Sequence, residues 1–193
     1  MTIIWRSSFA LLAAALLAAC QPGGPKFKNT DITGADYGRG FALTDHSGRP
    51  RTLADFRGQL VVLTFGFTHC PDICPTILAD LAGVMKGLGR DAERVQVLFI
   101  TVDPERDTRE LLARYVAAFD ARFLGLSGDL EATRQTAKEF KVFFEKRKAG
   151  EGYSVDHSAQ SYVIDAQGRL RLFVRQERIA ADLADDLRTL LAE

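Results

Sequence analysis

The sequence predicts an α/β fold in which helices flank a mixed central sheet. Two continuous apolar segments, residues 59–67 and 95–102, have the composition of central strands that are covered on both faces. Each is followed by a segment whose apolar residues recur at helical spacing. Strands that alternate with helices and then give way to a hairpin and a final helix are typical of an α/β sandwich.

A polar N-terminal hairpin precedes the first central strand. Its expected strands are residues 41–44 and 51–53, with a turn at Ser47-Gly48. After the first central strand, residues 75–88 carry apolar side chains at helical spacing and predict the first helix.

The second half of the chain predicts three more helices and a second hairpin. Helical spacing recurs in residues 108–119, 130–140 and 183–191. Residues 162–164 and 170–174 are the expected strands of the hairpin. With a pair of cysteines between the first central strand and the first helix, this order of elements is the layout of the thioredoxin fold.

The first residues have the character of an export signal. Arg6 is followed by an apolar stretch at residues 9–19, which at 11 residues is shorter than the about 20 residues that span a bilayer. The stretch ends in Leu17-Ala-Ala-Cys20, which resembles the lipobox of bacterial lipoproteins. That resemblance implies cleavage before Cys20 and acylation of this residue. The alternative is an ordinary signal peptide with a stray cysteine.

This N-terminal pattern predicts how the chain is divided. We expect a lipoprotein signal peptide at residues 1–19, a lipidated linker containing Gly and Pro at residues 20–36, and one folded domain at residues 37–193. The domain would then lie on the periplasmic face of a bacterial membrane, the inner rather than the outer one, held there by its lipid anchor.

The charge balance of the chain argues against nucleic acid as a partner. The chain has 25 Lys and Arg residues and 25 Asp and Glu residues, so nothing favours broad electrostatic binding to a polyanion. The one basic cluster, residues 146–148, lies between Glu145 and Glu151, and we expect it to be a solvated loop.

Cys70 and Cys74 are the cysteines that remain once Cys20 is assigned to the lipid anchor. They lie in the segment between the first central strand and the first helix, called here the thiol turn (residues 68–74). Two thiols at such a place form a disulfide, exchange disulfides with a partner, or bind a soft metal ion. Pro75 suits the first position of the helix, and a helix N-terminus favours negative charge. At least one thiol should therefore ionise more readily.

His157 is the strongest candidate for a third metal ligand among the three histidines. It lies just before the second hairpin, in a segment that folds back beside the thiol turn in a thioredoxin layout. Oxidoreductases of that fold place a cis-proline there, whereas this chain has no proline after Pro104. His46 is expected at the surface, and the side chain of His69 is expected to point away from that of Cys70.

Three carboxylates are candidates for supporting roles near the thiols. Asp103 follows the second central strand, at the same edge of the sheet as the thiol turn, and Asp156 is placed to orient the candidate histidine. Asp72 lies between the two cysteines. Asp107 or Thr108 is expected to cap the helix that follows.

Three motifs, taken in order, resemble the Sco/SenC family. They are FGFTHCPDICPT at residues 65–76, TVDPERD at residues 101–107, and VDHS at residues 155–158 with Tyr162 after it. The resemblance spans about residues 41–174, which is most of the expected domain. It implies a thioredoxin-like fold and one copper ion per chain, as Cu(I) and/or Cu(II). The ligands that it implies are Cys70, Cys74 and His157.

The resemblance also implies a function. It implies a copper chaperone that delivers copper to the dinuclear copper centre of cytochrome c oxidase, or reduces the cysteines that receive it. The partners would be subunit II of the oxidase, a periplasmic copper donor and a thiol reductant of thioredoxin type. The alternative is an extracytoplasmic thiol–disulfide oxidoreductase or redox sensor that uses Cys70 and Cys74 as a redox pair. A binding module with a structural disulfide is a third interpretation.

Overall fold

A computed structural model describes residues 25–193. The expected signal peptide, the lipidation site Cys20 and the start of the linker lie outside the described residues. The strands of the described chain are β1 (Thr30–Asp31), β2 (Ala42–Asp45), β3 (Pro50–Thr52), β4 (Leu60–Gly66), β5 (Val95–Thr101), β6 (Leu124–Ser127), β7 (Phe144–Ala149), β8 (Gly152–His157), β9 (Ser161–Ile164) and β10 (Leu170–Val174). Its α-helices are α1 (Ile73–Leu88), α2 (Arg109–Ala117), α3 (Leu130–Glu139) and α4 (Ile179–Leu191). Between residues 25 and 193, no helix is both long enough and apolar enough to cross a membrane.

The main sheet has the strand order β1-β10-β9-β4-β5-β6-β2-β3. Strand β5 pairs in parallel with β4 and with β6, whereas β9 pairs antiparallel with β4. The N-terminal hairpin of β2 and β3 joins the sheet through antiparallel pairing of β2 with β6. The predicted mixed sheet is therefore confirmed. Every residue of β4 is buried, as its continuous apolar composition indicates.

Strand β6 is an element that the sequence pattern does not indicate. Its four residues, Leu-Gly-Leu-Ser, include a glycine and neither alternate over a useful length nor form a long apolar run. It forms because β5 on one side and β2 on the other offer backbone partners. A strand defined by its neighbours leaves little trace in its own composition.

Helix α1 begins at Ile73, two residues before the predicted start at Pro75. Pro75 is consequently the third helical residue rather than the first. The missing N–H of Pro75 is still harmless, because the first four N–H groups of a helix have no intrahelical acceptor. Cys74 therefore lies inside the first helical turn.

The folded domain begins before the predicted boundary at residue 37. The backbone N–H groups of Lys28 and Asn29 donate to the carboxylate of Asp186 in α4, at 2.7 and 2.9 Å. Strand β1, a little further along, pairs with β10. The end of the predicted linker at residues 20–36 is thus part of the fold from Lys28 onward, because the domain supplies the acceptors that its backbone donors need.

A separate two-stranded sheet consists of β7 and β8. The prediction of a solvated loop at residues 146–148 is wrong, because these residues lie in β7, paired with β8 from Phe144 opposite His157 to Ala149 opposite Gly152. Their side chains are nevertheless exposed. A strand with no buried face has no alternation of apolar and polar residues, so composition alone resembles that of a loop.

The fold predicts a specific cost for enlarging Gly66, the last residue of β4. A Cβ atom there would lie 2.6 Å from Cε2 of Phe99 and 2.9 Å from Sγ of Cys74. Both neighbours are buried in the core. We expect Gly66→Ala to lower the free energy of unfolding by about 1–3 kcal/mol, as measured by urea denaturation, because overpacked cores must shift to relieve the clash.

The matched control is Gly83→Ala in α1. A Cβ atom at Gly83 meets no heavy atom within 4 Å. This substitution should raise the free energy of unfolding by about 0.5–1 kcal/mol, because alanine has a higher helix propensity than glycine. If the Gly66→Ala protein were as stable as the parent, the close packing described for this strand end would be wrong.

Candidate metal centre

The structure brings the side chains of Cys70, Cys74 and His157 together. One potential ligand atom from each residue lies within 4.8 Å of those of the other two. Nε2 of His157 is 3.4 Å from Sγ of Cys74, although the two residues are 83 positions apart in the chain. Two sulfur donors and one nitrogen donor therefore converge on one place, and these are ligand types that suit a soft metal ion.

The thiol turn places the two cysteines in different environments. Cys70 is half-buried, whereas Cys74 is 1% exposed, and both are free thiols. The backbone N–H of Cys74 donates to Sγ of Cys70 at 3.4 Å. The sulfur of Cys70 thus takes one of the unpaired N–H groups at the start of α1, a role that the side chain of Asp72, at the N-cap position, does not fill.

The imidazole of His157 presents Nε2 to the sulfur of Cys74. Its Nδ1 lies 2.9 Å from the backbone carbonyl oxygen of Ser158. Because a carbonyl oxygen only accepts, the proton of the neutral ring is assigned to Nδ1, and the lone pair of Nε2 faces the sulfur of Cys74. The ring of Phe67 packs against the imidazole at 84°, with 5.8 Å between centroids.

Burial favours the uncharged forms of the Cys74 thiol and the His157 imidazole when no metal is bound. It raises the pKa of the Cys74 thiol, and the neighbouring Cys70 adds to this shift. The expectation of easier ionisation at the helix N-terminus is therefore wrong for Cys74, because desolvation outweighs the helix end. Burial also lowers the pKa of His157, although the bond to Ser158 opposes the shift. A metal ion that binds the thiolate of Cys74 must displace its proton.

The three carboxylates of the sequence analysis lie in different places. Asp103 is fully buried and accepts a hydrogen bond from the hydroxyl of Tyr153 at 2.9 Å, and another from Arg106. Asp72 and Asp156 are exposed. Asp156 pairs with Arg147 at 3.2 Å rather than with the candidate histidine, since adjacent residues of a strand point to opposite faces. Asp156 lies in the strand that carries that histidine, and Asp103 is the one that contacts this strand from another part of the fold.

Asp107 has a role that the sequence analysis misses. Its buried carboxylate accepts hydrogen bonds from the backbone N–H of Thr68 at 3.0 Å and from the hydroxyls of Thr68 and Thr101 at 2.6 Å each. It thereby fixes the start of the thiol turn to the end of β5. The cap of α2 is Thr108, whose side chain accepts from the N–H of Leu111 at 3.2 Å. A Thr–Asp pairing over 39 residues leaves no local signal in the sequence.

The other two histidines lie outside the converging group. His46 is not simply a surface residue, because its Nδ1 accepts a hydrogen bond from the N–H of Gly125 at 3.1 Å. His69 is exposed, and its Nδ1 lies 3.1 Å from the hydroxyl of Thr68. Within residues 25–193, the group of side chains that could hold a metal ion contains one histidine of the three.

Comparison with known proteins gives the family. The SCO1/SenC family model matches residues 29–192. The chain belongs to the SCO1/SenC family. Among curated relatives, it is 41% identical to the mitochondrial SCO2 homolog of Bos taurus over 183 residues, which is 92% of this chain and 69% of the relative. For the human SCO2 homolog, the identity is 42% over 163 residues, 82% of this chain and 61% of the relative. The chain thus spans about two thirds or less of the length of these relatives.

Solved structures of the family share the fold. Bradyrhizobium japonicum ScoI with copper bound has a TM-score of 0.74 and 36% identity, over 80% of this chain and 99% of that chain. The solution structure of apo Sco1 from Thermus thermophilus has a TM-score of 0.75 and 42% identity, over 86% of this chain and 97% of that chain. The predicted thioredoxin-like Sco fold is confirmed.

The unequal burial of the thiols predicts unequal reactivity. In the reduced, metal-free protein at pH 8, iodoacetamide should modify Cys70 before Cys74, because Cys74 is 1% exposed and its pKa is raised by burial. We expect a rate ratio of about tenfold or more, since each unit of pKa changes the thiolate fraction about tenfold. Peptide mass spectrometry over a time course measures both rates.

The control for this experiment is the same protein in strong denaturant. There the two thiols are equally exposed, and their rates should become similar. Faster modification of Cys74 than of Cys70 in the folded protein would contradict the environments described above.

The lowered pKa of His157 predicts a pH-dependent contribution to stability. In the unfolded chain the imidazole titrates near its ordinary pKa of 6.5, whereas burial lowers its pKa in the folded protein. The unfolded state therefore binds more protons below pH 6.5, and the contribution of His157 to stability is lost as pH falls from 6.5 through the folded pKa. Urea denaturation of the metal-free parent and of His157→Gln, at a series of pH values from about 8 to 5.5, measures this contribution.

The informative quantity is the difference in unfolding free energy between parent and variant, because other titrating groups cancel in it. We expect the parent to lose stability relative to the variant as the pH falls. A difference that stays constant, or that moves in favour of the parent in acid, would show that the imidazole is not held neutral by burial.

Proposed function

We propose that this chain is an extracytoplasmic copper chaperone that holds one copper ion between the sulfurs of Cys70 and Cys74 and Nε2 of His157. The observation that carries the proposal is the convergence of these three donors within 4.8 Å of one another. Thiolate sulfur favours Cu(I), and imidazole suits copper in either oxidation state. The copper-bound structure of Bradyrhizobium japonicum ScoI, a relative of the same fold, supports the choice of metal.

The charges of the donors favour binding of either oxidation state. Two thiolates and a neutral imidazole give a net charge of −1 with Cu(I) and of zero with Cu(II). Both forms are compatible with a site at the surface end of the sheet, where Cys70 and His157 are only half-buried. The same openness lets a cysteine of an acceptor protein approach the copper ion, so that the ion can pass to the acceptor by exchanging ligands.

The acceptor that we propose is the dinuclear copper centre in subunit II of cytochrome c oxidase, as the Sco/SenC resemblance implies. The chain would deliver copper to this centre or reduce the cysteines that receive it. In the second case Cys70 and Cys74 give up two electrons and two protons and form a disulfide, while the acceptor disulfide becomes two thiols. A periplasmic copper donor and a reductant of thioredoxin type would complete the cycle.

The placement that we propose follows from the N-terminal sequence. Acylation at Cys20 would hold the domain on the periplasmic face of the inner membrane, with the residues that follow Cys20 as the tether. The chain is part of the folded domain by Lys28, so the tether is shorter than the predicted linker.

A second candidate function is thiol–disulfide exchange without metal. The proximity of two free thiols, one of them partly exposed, favours it. The two functions differ in what they require of His157, which is a ligand in the first and dispensable in the second. Copper titration and a disulfide-reduction assay on the same variants therefore separate them.

Copper titration of the reduced protein tests the proposal. We expect one ion per chain, and we expect His157→Ala to lower the affinity by more than the about 10- to 100-fold that loss of an outer-shell partner typically costs. Cys70→Ser and Cys74→Ser should lower it further, since a hydroxyl is a poor ligand for Cu(I). Competition with a chelator of known affinity measures each constant.

His69→Ala is the matched control, because His69 lies beside Cys70 in the chain but outside the converging group. Its copper affinity should equal that of the parent. Unchanged affinity in His157→Ala, together with undiminished reduction of a model disulfide, would reject the chaperone and favour the exchange enzyme.

A further inference from the structure

The strand that carries His157 is attached to the domain in an unusual way. Strands β7 and β8 form a sheet of their own and are not paired with the main sheet. A two-stranded hairpin is marginally stable in isolation, so side-chain contacts must fix its orientation. The place of the imidazole therefore depends on whatever holds this hairpin, called here the histidine arm (residues 144–157).

One face of the histidine arm packs against the domain. Tyr153, Val155 and His157 share this face of β8, because residues two apart in a strand point the same way. Val155 is 3% exposed, and the other two are half-buried. On the opposite face, Asp156 is exposed. Tyr153 and His157 are thus two points at which the same face meets the domain.

The contact at Tyr153 combines hydrogen bonds with stacking of the Arg106 guanidinium on the tyrosine ring. The hydroxyl of Tyr153 donates to Oδ1 of Asp103 at 2.9 Å, and Nε of Arg106 donates to the other oxygen of that carboxylate. A terminal nitrogen of Arg106 donates to the backbone carbonyl of Tyr153 at 3.0 Å. The guanidinium carbon lies 3.8 Å from the centre of the tyrosine ring. We call Asp103, Arg106 and Tyr153 the latch.

The latch is built from groups that are costly to separate. Asp103 is fully buried, and its carboxylate depends on Arg106 and on the tyrosine hydroxyl for its side-chain hydrogen bonds. Opening the latch would leave a buried charge with fewer partners, which is strongly unfavourable. A second contact joins the arm to the segment that contains Asp103 and Arg106. It is the ion pair of Lys146 with Glu105, which is largely exposed and is therefore expected to contribute little to holding the arm.

A line of packed rings connects the latch to the imidazole. The guanidinium of Arg106 also lies 5.9 Å from the ring centre of Phe67, the residue just after β4. The same Phe67 ring packs edge-on against His157. Arg106 therefore touches the arm directly at Tyr153 and, through Phe67, supports the wall against which the imidazole rests.

We propose that the latch positions His157, so that Arg106 and Tyr153 control how well its Nε2 is presented to the two sulfurs without binding metal themselves. This inference rests on the proposed function as far as copper is concerned. Its structural part concerns the arm alone and holds in the metal-free protein. The residues of the latch are positioning residues in this sense.

The test uses Arg106→Gln and the milder Tyr153→Phe, which keeps the stacked ring and removes only the hydroxyl. Each should lower the affinity for copper, and Arg106→Gln should do so by about 10- to 100-fold, as is typical for partners that orient a ligand. In a His157→Ala background, the same substitutions should cause no further loss, because they act through the imidazole.

Two substitutions serve as matched controls. Arg147→Gln removes an arginine from the exposed face of the same arm, where it pairs with Glu145 and Asp156. Tyr37→Phe removes a tyrosine hydroxyl elsewhere in the domain. Both proteins should bind copper as the parent does.

A metal-free measurement makes the inference independent of copper. Amide hydrogen exchange in residues 144–157 should be faster in Arg106→Gln and Tyr153→Phe than in the parent, and the ring signals of His157 in NMR spectra should shift. The order of thiol alkylation should stay unchanged, which shows that the thiol turn remains folded. If Arg106→Gln unfolds the domain, Tyr153→Phe provides the answer alone.

The outcomes separate this inference from the proposed function. Unchanged exchange in the arm and unchanged ring signals would overturn the latch, whatever copper does. A loss of copper affinity from Arg106→Gln that persists in the His157→Ala background would overturn it too, because the residue would then act by another route. If His157→Ala itself binds copper like the parent, the chaperone proposal fails, and the exchange measurement still decides the latch.

Discussion

The junction of β4 with α1 is the constraint on which the rest of the site depends. A strand that is buried along its whole length ends at Gly66, and within a few residues the chain must start a helix at the surface. This geometry puts one sulfur inside the domain and the other at its edge. A hydrogen bond from the backbone N–H of Cys74 to Sγ of Cys70 then links the two cysteines at the start of the helix. The imidazole of His157 then has only to be positioned beside these two sulfurs.

The central elements and the cysteine pair are predictable because their signals are local. Continuous apolar runs indicate β4 and β5, and helical spacing indicates α1 to within two residues. His157 could be selected because a histidine stands in the segment where a proline is otherwise expected, and because the family motif contains it. The N-terminal boundary has no such local signal, since Lys28 and Asn29 are polar residues whose partner, Asp186, is 158 and 157 positions away.

What the sequence does not predict depends on contacts between distant parts of the chain. Asp107 pairs with Thr68 across 39 residues, and Tyr153 pairs with Asp103 across 50. The raised pKa of Cys74 has the same origin, because the helix start is a local feature whereas burial is a property of the assembled core. Strand β6 likewise owes its existence to two neighbours rather than to its own four residues.

The separation of β7 and β8 from the main sheet has a further consequence. Each of these strands has one edge whose backbone groups are not paired within either sheet, and such edges invite pairing with other chains and so aggregation. Strand β7 carries Glu145, Lys146, Arg147 and Lys148 in succession. Repulsion and desolvation of these charges discourage a foreign strand from docking. The charged composition of β7, which resembles that of a loop, thus also protects its unpaired edge from pairing with other chains.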